Sequence, residues 1–109
     1  MFSIGFSNDG LADLKSLPKN VKNFLLKEIN AKLAPDPYGH SDPLREPLEE
    51  YRSFHCQGYR VIFQIVDDKT IAIDAVGKRM PQSVADVYRR LEAAVQRRKL
   101  EEELTRVPL

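Results

Sequence analysis

The sequence lacks the residues and the long apolar stretches on which several protein classes depend. Cys56 is the one cysteine among 109 residues, which excludes an internal disulfide framework and a zinc site built from cysteines. No stretch is long and apolar enough to cross a membrane, and residues 1–10 have neither the basic start nor the apolar run of a secretory signal. We therefore expect a cytoplasmic protein with no membrane partner, and no residue pattern implies a cofactor or a metal.

An excess of one charge is also missing. The chain has 17 Lys and Arg against 16 Asp and Glu, a formal net charge of +1. Bulk charge is therefore too weak to attract nucleic acid, and any nucleic-acid site must be a local basic patch. Charged residues make up 30% and hydrophobic residues 42%, as in ordinary globular proteins, and the length predicts one domain spanning residues 1–109.

The segment 51–79 has the clearest secondary-structure pattern. Apolar and polar side chains alternate with a period of two in residues 59–66, and residues 70–76 are rich in β-branched side chains. A turn at Cys56-Gln57-Gly58 separates residues 59–66 from an earlier strand at residues 51–55. These runs predict three consecutive antiparallel strands that end at Gly77.

The residues before this segment predict one strand and two helices. Residues 2–7 alternate as a short strand does, and Asn8 or Asp9 is suited to cap the helix that follows. Leucines at helical spacing then stop at Pro18, which can open a second helix over residues 21–33. The two helices are predicted to form a hairpin over one face of the sheet.

The remaining segments predict a loop and a final helix. Residues 34–47 are rich in proline and cannot form a helix or a central strand. A helix is predicted from about Val84, with Ser83 as its cap. Its apolar stripe comprises Val84, Val87, Leu91, Ala94 and Val95, continued less regularly by Leu100 and Leu104. Its arginines are interpreted as a solvated face stabilised by pairs four residues apart. The predicted fold class is α+β: a small antiparallel meander of about four strands, an N-terminal helical hairpin on one face and a C-terminal helix.

Several short segments together resemble the RelE/ParE family of toxins from type II toxin-antitoxin modules. They are Tyr51-Arg52-Ser53-Phe54-His55, Gly58-Tyr59-Arg60-Val61-Ile62-Phe63, Ile73-Asp74-Ala75-Val76-Gly77-Lys78-Arg79 and Val87-Tyr88. The similarity extends upstream to residues 14–21 and to Asp36-Pro37 and Pro43-Leu44, so it covers nearly the whole chain. The order and spacing of these segments carry the resemblance, which implies a fold similar to that of microbial ribonucleases.

The resemblance to RelE-type toxins also implies an activity: metal-independent cleavage of messenger RNA in the ribosomal A site. It assigns Arg60 and Arg79 to the scissile phosphate, since a guanidinium binds phosphate with two N–H groups. Tyr88 matches a tyrosine that stacks on a base or assists proton transfer. The resemblance also implies that Arg52 and Lys78 are further RNA-phosphate ligands.

Two departures from the family pattern bear on the predicted site. His55 stands where the family commonly has arginine, and a histidine with a pKa near neutrality is a better general acid or base. A strand histidine without a special role is the equal alternative. The interval from Arg79 to Tyr88 is longer than in compact family members, which puts the reach of Tyr88 in question. Each basic residue also has a structural alternative: Arg60 could pair with Asp74 or Glu50, and Lys78 and Arg79 could simply be solvated.

The resemblance leaves three functions open. The chain could be a RelE-type endoribonuclease, a ParE-type toxin that inhibits DNA gyrase without catalysis, or an inactive member that only binds an antitoxin. In each case the expected partner is a cognate antitoxin with a segment that folds on binding. For the first function, messenger RNA and the ribosome are partners as well, and the toxin-antitoxin complex could bind DNA through the antitoxin.

Overall fold

The fold is α+β, with helices on both faces of a five-stranded sheet. The structure, a computed structural model, describes the backbone of residues 1–106 and the side chains of residues 1–101. The strands are β1 (Ser3–Phe6), β2 (Asp42–Pro43), β3 (Arg52–Cys56), β4 (Tyr59–Ile65) and β5 (Thr70–Lys78), and the helices are α1 (Asn8–Lys15), α2 (Lys19–Glu28) and α3 (Val87–Arg106). The strand order is β1-β5-β4-β3-β2, in which only β1 and β5 are parallel. The predicted fold class is confirmed, with the two-residue edge strand β2 added to it.

The central meander β3-β4-β5 follows the predicted boundaries closely, except at its end. β5 does not stop at Gly77, as the sequence predicted, but continues through Lys78. Gly77 is paired with Arg60, and a Cβ on it would stand 2.4 Å from Nη2 of Arg90. The missing side chain therefore makes room for the arginine that crosses over the strand, and it does not create a bend.

The two sheet faces bury separate apolar clusters. On one face, α2 and the π-helical turn Ile29–Leu33 that continues it pack against the sheet. This cluster includes Leu25, Ile29, Leu33, Phe54, Val61, Phe63, Ile71 and Ile73. On the other face, α3 places Val87, Leu91 and Val95 over Ile62 and Ala75. Helices α2 and α3 thus lie on opposite sides of the sheet.

The caps of the helices differ from the prediction. Ser7, and not Asn8 or Asp9, caps α1, because its hydroxyl accepts the N–H of Gly10 at 3.1 Å. Asn8 and Asp9 are already the first residues of the helix, so the capping position before it belongs to Ser7. Pro18 stands immediately before α2, as predicted.

No helix in the described part of the chain is long and apolar enough to cross a membrane.

The C-terminal helix begins three residues later than predicted. Val84 is 83% exposed and lies in the loop before α3, so the predicted stripe starts at Val87. Ser83 accepts the N–H of Ala85, whereas the carboxylate of Asp86 accepts the N–H of Tyr88 in the first turn of the helix. Leu100 is exposed, and the side chain of Leu104 lies outside the described residues.

The arginines of α3 also behave differently from the prediction. Arg90 and Arg98 pair with Asp13 and Asp9 of α1 instead of with residues four positions away. Asp13 additionally accepts the N–H of Val76 at 3.0 Å. These contacts join α3 to α1, and α1 to β5.

Candidate functional site

The register of the meander brings His55 and Arg60 together on the face that α3 only partly covers. The Cα atoms of His55 and Arg60 are paired across β3 and β4, and those of Arg60 and Gly77 across β4 and β5. Ser53 shares this face of β3 with His55, because side chains two residues apart point the same way. Arg79, which follows β5, lies at the same end of the sheet, because its backbone N–H donates to the carbonyl oxygen of Gly58 at 3.1 Å.

Arg60 is held by backbone carbonyls and not by an acid. Its Nη1 donates to the carbonyl oxygens of Gln57 at 3.2 Å and Tyr59 at 3.0 Å. Its Nε is buried and has no hydrogen-bond partner among the described residues. The alternative interpretation, a pair with Asp74 or Glu50, is wrong within residues 1–101, where no ion pair of Arg60 is found. Among residues 1–101, the charge of Arg60 therefore has no acidic partner.

His55 is exposed and uncharged at neutral pH. Partial burial against the strands and the positive charge of Arg60 lower the pKa of its imidazole below the ordinary 6.5, although Asp42 opposes this shift. A neutral imidazole has a free lone pair, so it can accept a proton from a substrate hydroxyl.

Arg79, Asp86 and Tyr88 form one connected unit, which we call the Asp86 unit. Nη1 of Arg79 lies 2.6 Å from Oδ2 of Asp86, and the guanidinium carbon lies 4.8 Å from the centroid of the Tyr88 ring. Asp86 also accepts the N–H groups of Met80 and Tyr88. The carboxylate therefore closes the loop of residues 80–85 and fixes Arg79 against the tyrosine.

The pKa of Asp86 is lowered in spite of its burial. Burial alone would raise it, but the hydrogen bonds from Met80, Arg79 and Tyr88 and the charge of Arg79 outweigh burial and bring the pKa below the ordinary 3.8. The carboxylate is consequently ionised at neutral pH. The side chain of Arg79 remains 37% exposed, so it is paired on one side and open to solvent on the other.

Tyr88 is tied to the sheet through its hydroxyl. Its oxygen lies 2.8 Å from the hydroxyl oxygen of Ser53, and either group can be the donor. This bond brings the start of α3 over β3, on the face that carries His55. The longer interval between Arg79 and Tyr88 therefore does not carry Tyr88 away from Arg79, because the loop folds back on Asp86.

The structure does not place every predicted residue in this group. Arg52 is paired with Phe63, on the face covered by α2, and it donates to the hydroxyl and the carbonyl of Ser41 at 2.7 and 2.9 Å. Lys78 is paired with Tyr59 on that same face, and its Nζ lies 5.7 Å from the tyrosine ring centroid. Their predicted role as RNA-phosphate ligands stays a prediction, and neither side chain joins His55, Arg60, Arg79 and Tyr88.

Two residues of the site were missed in the sequence. Asp86 was passed over because Ser83 and the apolar spacing of Val84 favoured an earlier helix start. An Asp directly before Val87-Tyr88 was the available signal, since Asp is a strong N-cap residue. Ser53 gave a weaker signal, its period-two spacing from His55.

Metal-binding and thiol chemistry find little support in the described residues. Within residues 1–101, no group of three or more His, Cys, Asp or Glu side chains is arranged to hold a metal ion. Cys56 is buried, and burial followed by the charge of Glu28 raises the pKa of its thiol. The thiol therefore stays protonated at neutral pH and is a poor nucleophile.

The site accordingly combines a neutral imidazole, two guanidinium groups and a phenol on one end of the sheet. These groups can accept a proton, bind a phosphate and donate a proton, respectively. A family model described as the ParE toxin of the type II toxin-antitoxin system parDE matches residues 4–82, which include the sheet except Ser3, together with His55, Arg60 and Arg79. The chain belongs to the ParE toxin family.

Solved structures of RelE-like toxins have a similar fold. The chain is similar to a protein in the toxin-antitoxin complex RelBE2 from Mycobacterium tuberculosis, with 26% identity and a TM-score of 0.67 over 72% of this chain and 98% of the other. The isolated RelE toxin of E. coli matches with 22% identity and a TM-score of 0.63, over 89% and 98%. A chain of the intact E. coli RelBE toxin-antitoxin complex matches with 19% identity and a TM-score of 0.59, over 73% of this chain and 99% of the other. No curated protein sequence matches significantly. The toxin thus has the RelE-like fold of type II systems.

Proposed function

We propose that this toxin is a metal-independent endoribonuclease that cleaves messenger RNA, in the ribosomal A site, through attack of a ribose 2′-OH on the adjacent phosphate. The observation that carries the proposal is the pairing of a neutral, exposed His55 with Arg60, whose charge has no acidic partner among residues 1–101. A site that only bound an anion would need no neutral imidazole beside its arginine.

The proposed reaction uses each group once. His55 accepts the proton of the 2′-OH, and the 2′-oxygen forms a bond to phosphorus while the bond to the 5′-oxygen breaks. The guanidinium groups of Arg60 and Arg79 stabilise the negative charge that grows on the phosphate oxygens. The phenol of Tyr88 protonates the leaving 5′-oxygen, with Ser53 donating to the phenol oxygen at 2.8 Å. The products are a 2′,3′-cyclic phosphate and a 5′-hydroxyl end.

The proposal gives Arg52 and Lys78 a more distant role. Because they belong to the other sheet face, we assign them not to the scissile phosphate but to phosphates that flank it. A cognate antitoxin is the proposed protein partner, in line with the complexes in which the related toxins from M. tuberculosis and E. coli were solved. We expect its binding to cover the His55 face, because that is where neutralisation acts directly.

The proposal is tested by mapping RNA ends in cells that express the toxin from a tightly repressed promoter, alone and with its neighbouring gene. We expect new 5′-hydroxyl ends within translated codons soon after induction. Arg60→Ala and Arg79→Ala should each remove these ends, and the neighbouring gene should suppress them. Lys69→Ala, in the turn at the opposite end of β4 and β5, is the matched control and should leave the ends unchanged. Growth arrest with an unchanged pattern of RNA ends would contradict the proposal.

Gyrase inhibition is the second candidate, and the family match favours it. The matched model is that of ParE toxins, and the charge of Arg79 is already partnered by Asp86, which weakens its attraction for a phosphate. Inhibition of DNA supercoiling by purified gyrase, with messenger RNA intact and with His55→Gln still toxic, would select this candidate over RNA cleavage.

A further inference from the structure

Asp86 combines features that a helix cap alone does not require. Its side chain is only 1% exposed, yet it is ionised and contacts three partners from the two ends of the 80–86 loop. An asparagine or serine would cap the first turn of a helix about as well without burying a charge. A buried carboxylate paired with an arginine contributes little net stability compared with apolar groups, so its presence here indicates a role connected with Arg79.

The contact leaves most of Arg79 available to a ligand. Asp86 engages Nη1, and a guanidinium has five N–H donors in a rigid planar arrangement. The Tyr88 ring lies against the guanidinium at 4.8 Å and restricts its rotation from another side. Arg79 is therefore held between the carboxylate and the ring, while 37% of its side chain stays exposed to solvent.

We propose that Asp86 is a positioning residue that holds Arg79, stacked on Tyr88, in the orientation that binds the scissile phosphate. This inference rests on the proposed function and deepens it, because it assigns the loop of residues 80–86 to the alignment of an arginine and a phenol. The loop acts through Asp86 and need not touch the RNA. The Asp86 carboxylate also places a negative charge near the bound phosphate. We propose that the gain from a correctly oriented Arg79 outweighs this repulsion.

A double-mutant cycle separates positioning from a purely structural role. Asp86→Asn retains an oxygen that accepts the Met80 N–H but loses the charge that holds Arg79. We expect it to reduce the single-turnover cleavage rate on the order of 10²-fold, the scale of a misplaced catalytic group. In an Arg79→Ala background the same change should have little further effect. An equal loss in both backgrounds would show that Asp86 only folds the loop and would overturn the inference.

Asp13→Asn is the matched control. Asp13 also pairs with an arginine, at 2.8 Å from Arg90, and also accepts a backbone N–H, from Val76. Its loss should lower the unfolding midpoint to a similar extent without changing the cleavage rate. A comparable fall in cleavage for Asp13→Asn would mean that the Asp86 effect is one of general stability.

A measurement independent of activity distinguishes failure of this inference from failure of the proposed function. In the folded protein, we expect the Nη1–H protons of Arg79, which Asp86 contacts, to exchange with solvent at least tenfold faster in Asp86→Asn than in the wild type, as measured by NMR. This result, with no RNA cleavage by the wild type, would retain the positioning and reject the nuclease. Unchanged exchange of the Arg79 protons would reject the positioning, whatever the cleavage data show. Where Arg79→Ala cleaves too slowly to measure, the exchange rates decide.

Discussion

His55 and Arg60 are paired across β3 and β4, so that the positive charge of the arginine acts directly on the imidazole. Like charges disfavour the protonated form, and this effect adds to that of partial burial in lowering the pKa of His55. Partial burial is the larger cause of the lowered pKa, and the strand register adds the charge of Arg60 beside the imidazole.

The first prediction concerns the titration of His55 in the folded protein. Arg60→Gln should raise the pKa of His55 toward the ordinary 6.5, because the Coulombic contribution of the arginine is lost while burial remains. Asp42→Asn should lower it further, because Asp42 favours the charged imidazole. NMR titration of the histidine ring protons measures both shifts. A His55 pKa that does not respond to Arg60→Gln would contradict the assigned pairing.

The second prediction concerns the pH dependence of cleavage. If His55 accepts the 2′-OH proton, the rate should rise with pH through the pKa of His55, which lies below 6.5, and should be flat from about pH 7. His55→Gln should lower the rate about 10²- to 10⁴-fold and abolish the rise. His40→Gln is the control, because this loop histidine bonds only to the Asp36 carbonyl among the described residues. A rate profile unchanged in His55→Gln would remove the histidine from the mechanism.

The third prediction concerns the stability that Asp86 contributes. Because the folded-state pKa of Asp86 lies below its ordinary 3.8, the contribution is present above that value and is lost as the pH falls through the folded-state pKa. Asp86→Asn should therefore lower the free energy of unfolding by about 1.5–3 kcal/mol at pH 7, with a smaller difference from the wild type below pH 3.8. Urea denaturation at a series of pH values measures the difference.

The outcome for Asp86→Asn is compared with Glu28→Gln. This second change removes the exposed pair with Lys32, 3.3 Å long, and should cost about 1 kcal/mol at most. A constant difference between wild type and Asp86→Asn from pH 7 to pH 2.5 would show that the charge of Asp86 has no part in stability.

The fourth prediction concerns the turn between β3 and β4. Gln57 has a φ of 57°, a conformation that costs an L-residue about 1 kcal/mol, whereas Gly58 does not have a positive φ. Gln57→Gly should therefore raise the free energy of unfolding by about 0.5–1 kcal/mol. Gly58→Ala should be neutral or slightly stabilising, because a Cβ at Gly58 meets nothing within 4 Å. Thermal unfolding tests the pair, and the reverse order of effects would contradict the turn geometry.

The sequence predicted the sheet well because strands with one buried face carry their own signal. Val61 and Phe63 alternate with Arg60 and Gln64, and this period fixes both the strand and the face that each residue occupies. The apolar spacing of Val87, Leu91 and Val95 did the same for α3. Register could not be predicted, and Arg52 and Lys78 were grouped with Arg60 although they belong to the other face.

The Asp86 unit could not be predicted because its contacts close an irregular loop, which has no periodic pattern of residues. The sequence shows an Asp before a helix, but nothing in it says that the same carboxylate reaches the backbone of Met80 and the side chain of Arg79. In the same way, the pairing of Arg90 and Arg98 with α1 depends on the packing of two helices that are far apart in the chain. Local patterns therefore nominated candidate residues, and the contacts between segments define how those residues are arranged.

The most direct test of the proposed nuclease is single-turnover cleavage of a messenger RNA bound to ribosomes, with a single 2′-deoxy nucleotide placed at the mapped cut. We predict that the wild type cuts the all-ribose RNA to give a 2′,3′-cyclic phosphate end and does not cut the 2′-deoxy RNA at that position. The His55→Gln variant should cut the all-ribose RNA much more slowly than the wild type does. Cleavage of the 2′-deoxy RNA at an undiminished rate, or the absence of cleavage from a preparation that inhibits gyrase, would contradict the account.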